Sequence, residues 1–292
     1  MIGATGSPFT GEVFSPLPSL LFLLPFSSSS FRQRALTGGG KDIRIPEEKQ
    51  TGGRPRRGAF PEKENDMKSF DVAIDGPSGA GKSSLAKRCA AELGFLYVDT
   101  GAIYRTVGLA ALRRGIDRKD EQAVADILPQ LDIRMAYEDG EQHMYLNGED
   151  VSKEIRLPEI SMCASDVSAH AAVRDFLMEM QRKLARENCV IMDGRDIGTV
   201  VLPQAKLKIY LTASAEERAR RRMLEQSAKG VQQPFEEVLA DIIRRDEQDM
   251  NREVAPLRRA EDAVLVDTTE IDFDQSFALL CRIIRERMEQ EA

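Results

Sequence analysis

The chain has 292 residues, of which 30% are charged and 42% apolar, with a formal charge of −7. That charge argues against a general nucleic-acid coat, so any anion site must come from a local basic cluster. Four cysteines (Cys89, Cys163, Cys189, Cys281) form no Cys-x-x-Cys pair and read as reduced thiols of a cytoplasmic protein, and no apolar run reaches the ~20 residues that span a bilayer.

Residues 1–66 differ from the rest. Ser27-Ser28-Ser29-Ser30, Gly38-Gly39-Gly40 and scattered prolines break any periodicity, and nine Lys/Arg against seven Asp/Glu leave the remainder of the chain near −9. The apolar stretch 17–26 lacks the preceding basic residues and the small-residue cleavage site of a secretory signal. The stretch 1–66 is therefore expected to be a disordered extension without a catalytic part, with Met67 as the natural start of a single domain 67–292.

From Met67 the pattern alternates. Residues 70–75 form a short apolar strand, followed by Gly76-Pro77-Ser78-Gly79-Ala80-Gly81-Lys82-Ser83-Ser84 and then a good helix former from Leu85. Strand, glycine loop and helix in that order define G-x-x-x-x-G-K-[ST] as a phosphate loop. The glycines let successive N–H groups point into one hollow at a helix N-terminus, where the dipole favours an anion. Lys82 is placed for the β- and γ-phosphates and the Ser83 hydroxyl for Mg²⁺.

A second strand at 95–98 leads into Asp99-Thr100-Gly101-Ala102-Ile103-Tyr104-Arg105 and a helix to Arg114. Thr100 can cap that helix or, with Arg105, grip a phosphorylated acceptor. Alternation at 131–137 and 142–146, with Glu138-Asp139-Gly140 between, predicts a hairpin, and Asn147-Gly148 another turn. This is a small antiparallel sheet inserted into an α/β chain. A helix is predicted over 165–187 from Val173, Phe176, Leu177, Met180 and Leu184.

A third core strand, 189–192, ends in Asp193-Gly194-Arg195-Asp196. An acidic residue ending a buried strand opposite a phosphate loop suits Mg²⁺-water contacts. Arg195 and Asp196 can read a nucleobase edge or pair with each other. Strands at 207–211 and 264–266, helices at 215–228, 235–250 and 273–288, complete a five-stranded parallel sheet covered on both faces. Its strand ends bring the three polar clusters to one crevice. The arginines 218, 220–222, 244, 245 and 252 flank two charged helices, a solvated face in most proteins but a water-excluding lid in a phosphate-loop protein. His143 and His170 have no partner at metal spacing.

The motifs 74–84, 99–105, 193–201 and Arg245-Asp246-Glu247-Gln248-Asp249-Met250-Asn251-Arg252 together resemble bacterial cytidylate kinases, from about Met67 to the C-terminus. The resemblance implies the nucleoside monophosphate kinase fold, with a monophosphate-binding insert near 131–165 and a lid near 218–252. It implies ATP and Mg²⁺ at 76–84, and CMP or dCMP at Thr100, Tyr104, Arg105, Ser165, Arg174, Arg195, Asp196, Asp249 and Arg252. Lys82, Arg105, Asp193 and Arg245 would be the catalytic set, in a monomer with no nucleic-acid or membrane partner. The family commonly has serine where Thr100 stands, which keeps the hydroxyl, and 1–66 has no family counterpart. UMP, AMP and shikimate remain alternative acceptors. A GTP switch or a regulatory ATPase without an acceptor is disfavoured by the lack of an Asn-Lys-x-Asp signature and by an insert and lid it would not need, and a nucleic-acid binder by the net negative charge and the lack of aromatics among the arginines.

Overall fold

Apolar runs without alternation build the central sheet, because a strand covered on both faces has no solvent side. A computed structural model describes residues 43–44, 69–138, 141–228 and 230–291. The chain divides into Met1–Gly38 and Gly39–Ala292, and all described residues lie in the second unit.

In chain order the elements are β1 (Ile43–Arg44), β2 (Asp71–Asp75), α1 (Lys82–Leu93), β3 (Leu96–Asp99), α2 (Thr100–Arg113), α3 (Glu121–Ile127), β4 (Ile133–Glu138), β5 (Glu141–Leu146) and β6 (Glu149–Asp150). There follow α4 (Pro158–Val167), α5 (Ala171–Glu187), β7 (Val190–Gly194), β8 (Leu207–Thr212), α6 (Ala215–Ala228), α7 (Phe235–Asn251), β9 (Val264–Asp267) and α8 (Phe273–Glu291). The five-stranded sheet is parallel throughout, in the order β3-β7-β2-β8-β9. Alternate residues of the same strands enter two cores. Ala73, Val98, Val190 and Met192 pack with α2, α4 and α5 on one face. Val72, Ile74, Ile191, Ile209 and Leu211 pack with Leu85, Cys89, Leu280 and Ile284 of α1 and α8 on the other. This is the doubly covered α/β sheet that the sequence predicts.

The second sheet is antiparallel, in the order β1-β4-β5-β6. The β4–β5 hairpin falls where alternation places it, with Met135 opposite Met144 and both buried. Asp139 and Gly140 of its expected turn lie outside the described residues. Ile43 opposes Met135 and Arg44 opposes Arg134, so this sheet takes one strand from the stretch expected to lack structure. The rest of 1–66 lies outside the described residues. A third, small core (Ala219, Val238, Ile242) joins α6 to α7. No helix among the described residues is long and apolar enough to cross a membrane.

Three local expectations differ from what is found. The helix expected over 165–187 is two helices, α4 and α5, with α4 beginning at Pro158 in the first-turn position that proline favours. The break is held by two side chains that bond to backbone carbonyls. His170 Nε2–H donates to the Arg118 carbonyl at 2.7 Å, and Arg174 Nη1 donates to the Ser168 carbonyl at 3.1 Å. The short α3 lacks a sequence signal strong enough to place it. The cap of α2 is Asp99, whose carboxylate accepts the Ala102 N–H at 2.9 Å, and Thr100 is already helical.

Candidate active site

The site begins with two glycines. Gly76 leaves β2 at φ 151°, and a Cβ there would lie 1.9 Å from the Leu211 carbonyl oxygen, so only glycine passes under β8. Gly81 caps α1 in the left-handed region at φ 85° and brings no side chain to the helix end. The first amides of α1 are thus left for a ligand. Gly79, Gly81, Lys82, Ser83 and Ser84 line a cleft of about 850 Å³, as does Ser78. Gly76, Pro77 and Ala80 do not line it: Pro77 offers its carbonyl to Lys82 Nζ at 2.8 Å, and Ala80 is fully buried.

Lys82 is buried, and that burial, with Arg195 next in importance, lowers its ammonium pKa to about 7. A bound polyphosphate would restore the charge. ATP binding should therefore take up about half a proton at pH 7 and close to one between pH 8 and 9. Calorimetry in two buffers of different ionisation enthalpy measures this directly, and a buffer-independent heat would contradict it.

Asp193 ends β7 beside the loop. Its Oδ2 accepts from Ser83 Oγ at 2.8 Å, its Oδ1 from Tyr97 Oη at 2.9 Å, and its backbone carbonyl from Thr100 Oγ1 at 2.7 Å. Burial, and after it the Asp99 charge, push its carboxyl up to about 6. A hydroxyl and one carboxylate are too few to hold a metal alone, and among the described residues no group of three His, Cys, Asp or Glu does so. The pair does suit Mg²⁺, which keeps several waters and takes its remaining oxygens from phosphates. A buried carboxylate whose ionised form is disfavoured by a second carboxylate gains from a nearby dication.

The opposite wall is built from arginines and carboxylates. Arg195 Nε donates to Asp249 Oδ2 at 2.7 Å, while Asp196 is gripped by Arg174 and, at 3.3 Å, by Arg252. Arg195 and Asp196 therefore do not pair with each other; each finds its counter-charge on α7 or at the α5 start. Although burial opposes it, Arg195, Arg245 and Arg252 hold the Asp249 carboxyl below its usual range. Asp75, at the end of β2, accepts the Ile197 and Gly198 N–H groups at 2.7 Å each and fixes the turn after Asp196. This support was not apparent from sequence, where Asp75 reads only as the residue before the loop.

Between the walls, cations are left over. Arg105 Nη2 meets Asp99 Oδ2 at 2.8 Å, yet among the described residues its buried Nε–H has no partner, and neither does that of Arg245. Burial, then Arg195, lowers the Arg245 pKa to about 10, with Arg222 and Arg105 also contributing. Unspent buried donors in a cluster of like charge call for an anion. Tyr104, Ser165 and Arg174 line the same cleft.

The lid arginines fall into two groups. Arg218 is structural: it donates to the Ser78 and Ala213 carbonyls at 3.0 and 2.9 Å and pairs with Asp246 at 2.7 Å. Arg220 and Arg244 pair with Glu217 and Asp241 at the surface. Arg221, Arg222, Arg245 and Arg252 reach the cleft. The cleft also includes Arg156, Ser161 and the turn Ile271, Asp272 and Phe273, none singled out from sequence. That turn follows β9, so the rule that ligands sit beyond the strand ends could have found it.

A parallel sheet with a phosphate loop at one strand end, and an arginine-bearing helix pair over the crevice, defines a P-loop phosphotransferase of the nucleoside monophosphate kinase kind. The model of the family described as cytidylate kinase matches residues 72–286. The chain is 51% identical over 209 residues to the cytidylate kinase of Caldicellulosiruptor bescii, covering 72% of this chain and 92% of that one. Identity to the cytidylate kinase of Geobacter sp. strain M21 is 50% over 219 residues, covering 75% and 94%. For the Shouchella clausii enzyme of the same name it is 46% over 223 residues, covering 76% and 99%. The chain belongs to the cytidylate kinase family.

Proposed function

We propose that the cleft transfers the γ-phosphoryl group of ATP to CMP and dCMP, giving CDP and dCDP. The observation that carries this reading is the one cleft shared by the open N-terminus of α1 and the buried Arg174–Asp196–Arg252 and Arg195–Asp249 groups. The first binds a polyphosphate. The second offers donors and acceptors fit for a base and sugar, and in the same cleft the Nε–H groups of Arg105 and Arg245 are unpaired among the described residues.

In this reading the loop 76–84 and Lys82 hold the ATP phosphates, and Ser83 with Asp193 would hold Mg²⁺ and its waters. When bound, Mg²⁺ would offset the charge of the ATP phosphates. Thr100, Tyr104, Arg105, Ser165, Arg174, Arg195, Asp196, Asp249 and Arg252 bind the acceptor. An acceptor phosphate oxygen is already a nucleophile, so the chain needs no general base. What remains is to align donor and acceptor and to place cations at the three equatorial oxygens, the role this reading gives to Lys82, Arg105 and Arg245 of the same cleft. The 218–252 lid closes over them and keeps water from the γ-phosphoryl group. Every group involved comes from one chain, which fits activity as a monomer. The four free thiols fit a cytoplasmic setting.

The test is ADP release with ATP, Mg²⁺ and a panel of acceptors. CMP and dCMP should exceed UMP, AMP and shikimate by about 10²-fold or more in kcat/KM, because a site built on buried hydrogen-bonding groups rejects ligands that leave them unpaired. An acceptor-independent release of ADP would refute the kinase reading.

A further inference from the structure

The geometry points to Tyr97 as a positioning residue that aims the Asp193 carboxylate at the metal-phosphate site, an inference resting on the reading of Ser83 and Asp193 given above. Tyr97 lies on β3, the edge strand of the parallel sheet, and its ring packs into the core beneath α1. From there its hydroxyl crosses to β7 and donates to Asp193 Oδ1, while Ser83 takes Oδ2. The two bonds hold the carboxylate by both oxygens, so its plane is fixed. Burial, and then the Asp193 and Asp99 charges, keep the phenol protonated and hence a donor.

Tyr97 is itself held from the inserted sheet. Tyr137 Oη on β4 donates to the Tyr97 carbonyl at 2.8 Å. Two residues further along, the Gln142 side chain on β5 accepts the Asp99 N–H at 2.8 Å and donates to the Asp99 carbonyl at 3.2 Å. A free strand edge would leave these groups to water; here two insert side chains occupy them and lock the strand end in register. The bonds run from insert to β3, from β3 to Asp193, and from Asp193 to Ser83 on the phosphate-loop helix.

Without the phenol hydroxyl the carboxylate keeps only its bond from Ser83 Oγ and can turn about it. Outer-sphere partners of this kind are worth about 10–100-fold in metal affinity.

Tyr97→Phe keeps the ring and removes only the hydroxyl. The readout is the ratio of ATP affinity with saturating Mg²⁺ to ATP affinity in EDTA, measured by calorimetry without acceptor. The ratio should fall about tenfold, through the Mg²⁺ arm alone, with CMP affinity and metal-free ATP affinity kept. An unchanged ratio overturns the proposal, whether both arms hold or both weaken together as a structural defect would make them. A wild-type ratio of one would instead unseat the Mg²⁺ site itself, and the proposal with it.

Discussion

Lys82→Ala is expected to lower kcat by about 10³-fold while leaving the fold in place. Lys82 is buried at the first position of α1, and its ammonium donates to one carbonyl, that of Pro77. In a cleft shielded from water a cation placed where charge develops acts with far more force than at the surface, and losing one such preorganised donor costs 10²–10³ in kcat. The upper end applies if, as proposed, Lys82 faces the γ-phosphoryl group, where charge develops in the transition state. Stability should move the other way. The folded protein holds the ammonium pKa well below its ordinary value, so the charged form is disfavoured by folding and stability should rise as pH climbs above about 7. Alanine removes that penalty and suits a helix start, so the melting temperature should match or exceed that of the wild type. The two readouts separate the cases. Near-normal turnover would remove Lys82 from the phosphate loop's chemistry, and lost activity with a lower melting temperature would mean a damaged fold.

The phosphate loop was legible because its physics is local: strand, glycines and helix lie within twenty-odd residues and need no other part of the chain. The strand order of the main sheet was less so, but continuous apolar runs such as Val190, Ile191 and Met192 told that both faces are covered. What sequence could not give was the pairing of charges. Arg195 and Asp196 are neighbours, so mutual pairing looked open. At a strand end successive side chains diverge, and Arg195 meets Asp249 while Asp196 meets Arg174 and Arg252. The break between α4 and α5 was hidden for the same reason. It depends on the Arg118 carbonyl, 52 residues from His170, and no helical period records that bond. Tyr97 read as an ordinary strand aromatic and Gln142 as a solvent-facing polar residue of a hairpin. Both acquire a role only when the insert folds against β3.

Asp196→Asn should lower kcat/KM for CMP by about 10²-fold or more, with the KM for ATP changing less than about threefold. Asp196 is buried at 4% exposure between two guanidinium groups. Asparagine keeps its volume and carbonyl, but its NH₂ faces a donor and the charge is gone. Arg174 and Arg252 then stand buried without their counter-ion, and breaking a buried pair in this way costs about 3–5 kcal/mol. Part of that cost will appear as a lower melting temperature. Part will appear in the free enzyme as a misplaced acceptor site, since Arg174 also spans the α4–α5 break through the Ser168 carbonyl and lies over Tyr104 at 5.5 Å. The phosphate loop shares none of these contacts, which is why ATP should be spared. Discrimination should suffer as well. A carboxylate able to accept from an amino group favours cytosine over uracil, so the CMP-to-UMP ratio of kcat/KM should shrink in the variant. Equal losses for ATP and CMP, or an unaltered CMP-to-UMP ratio, would take Asp196 out of acceptor recognition and leave it a structural ion pair.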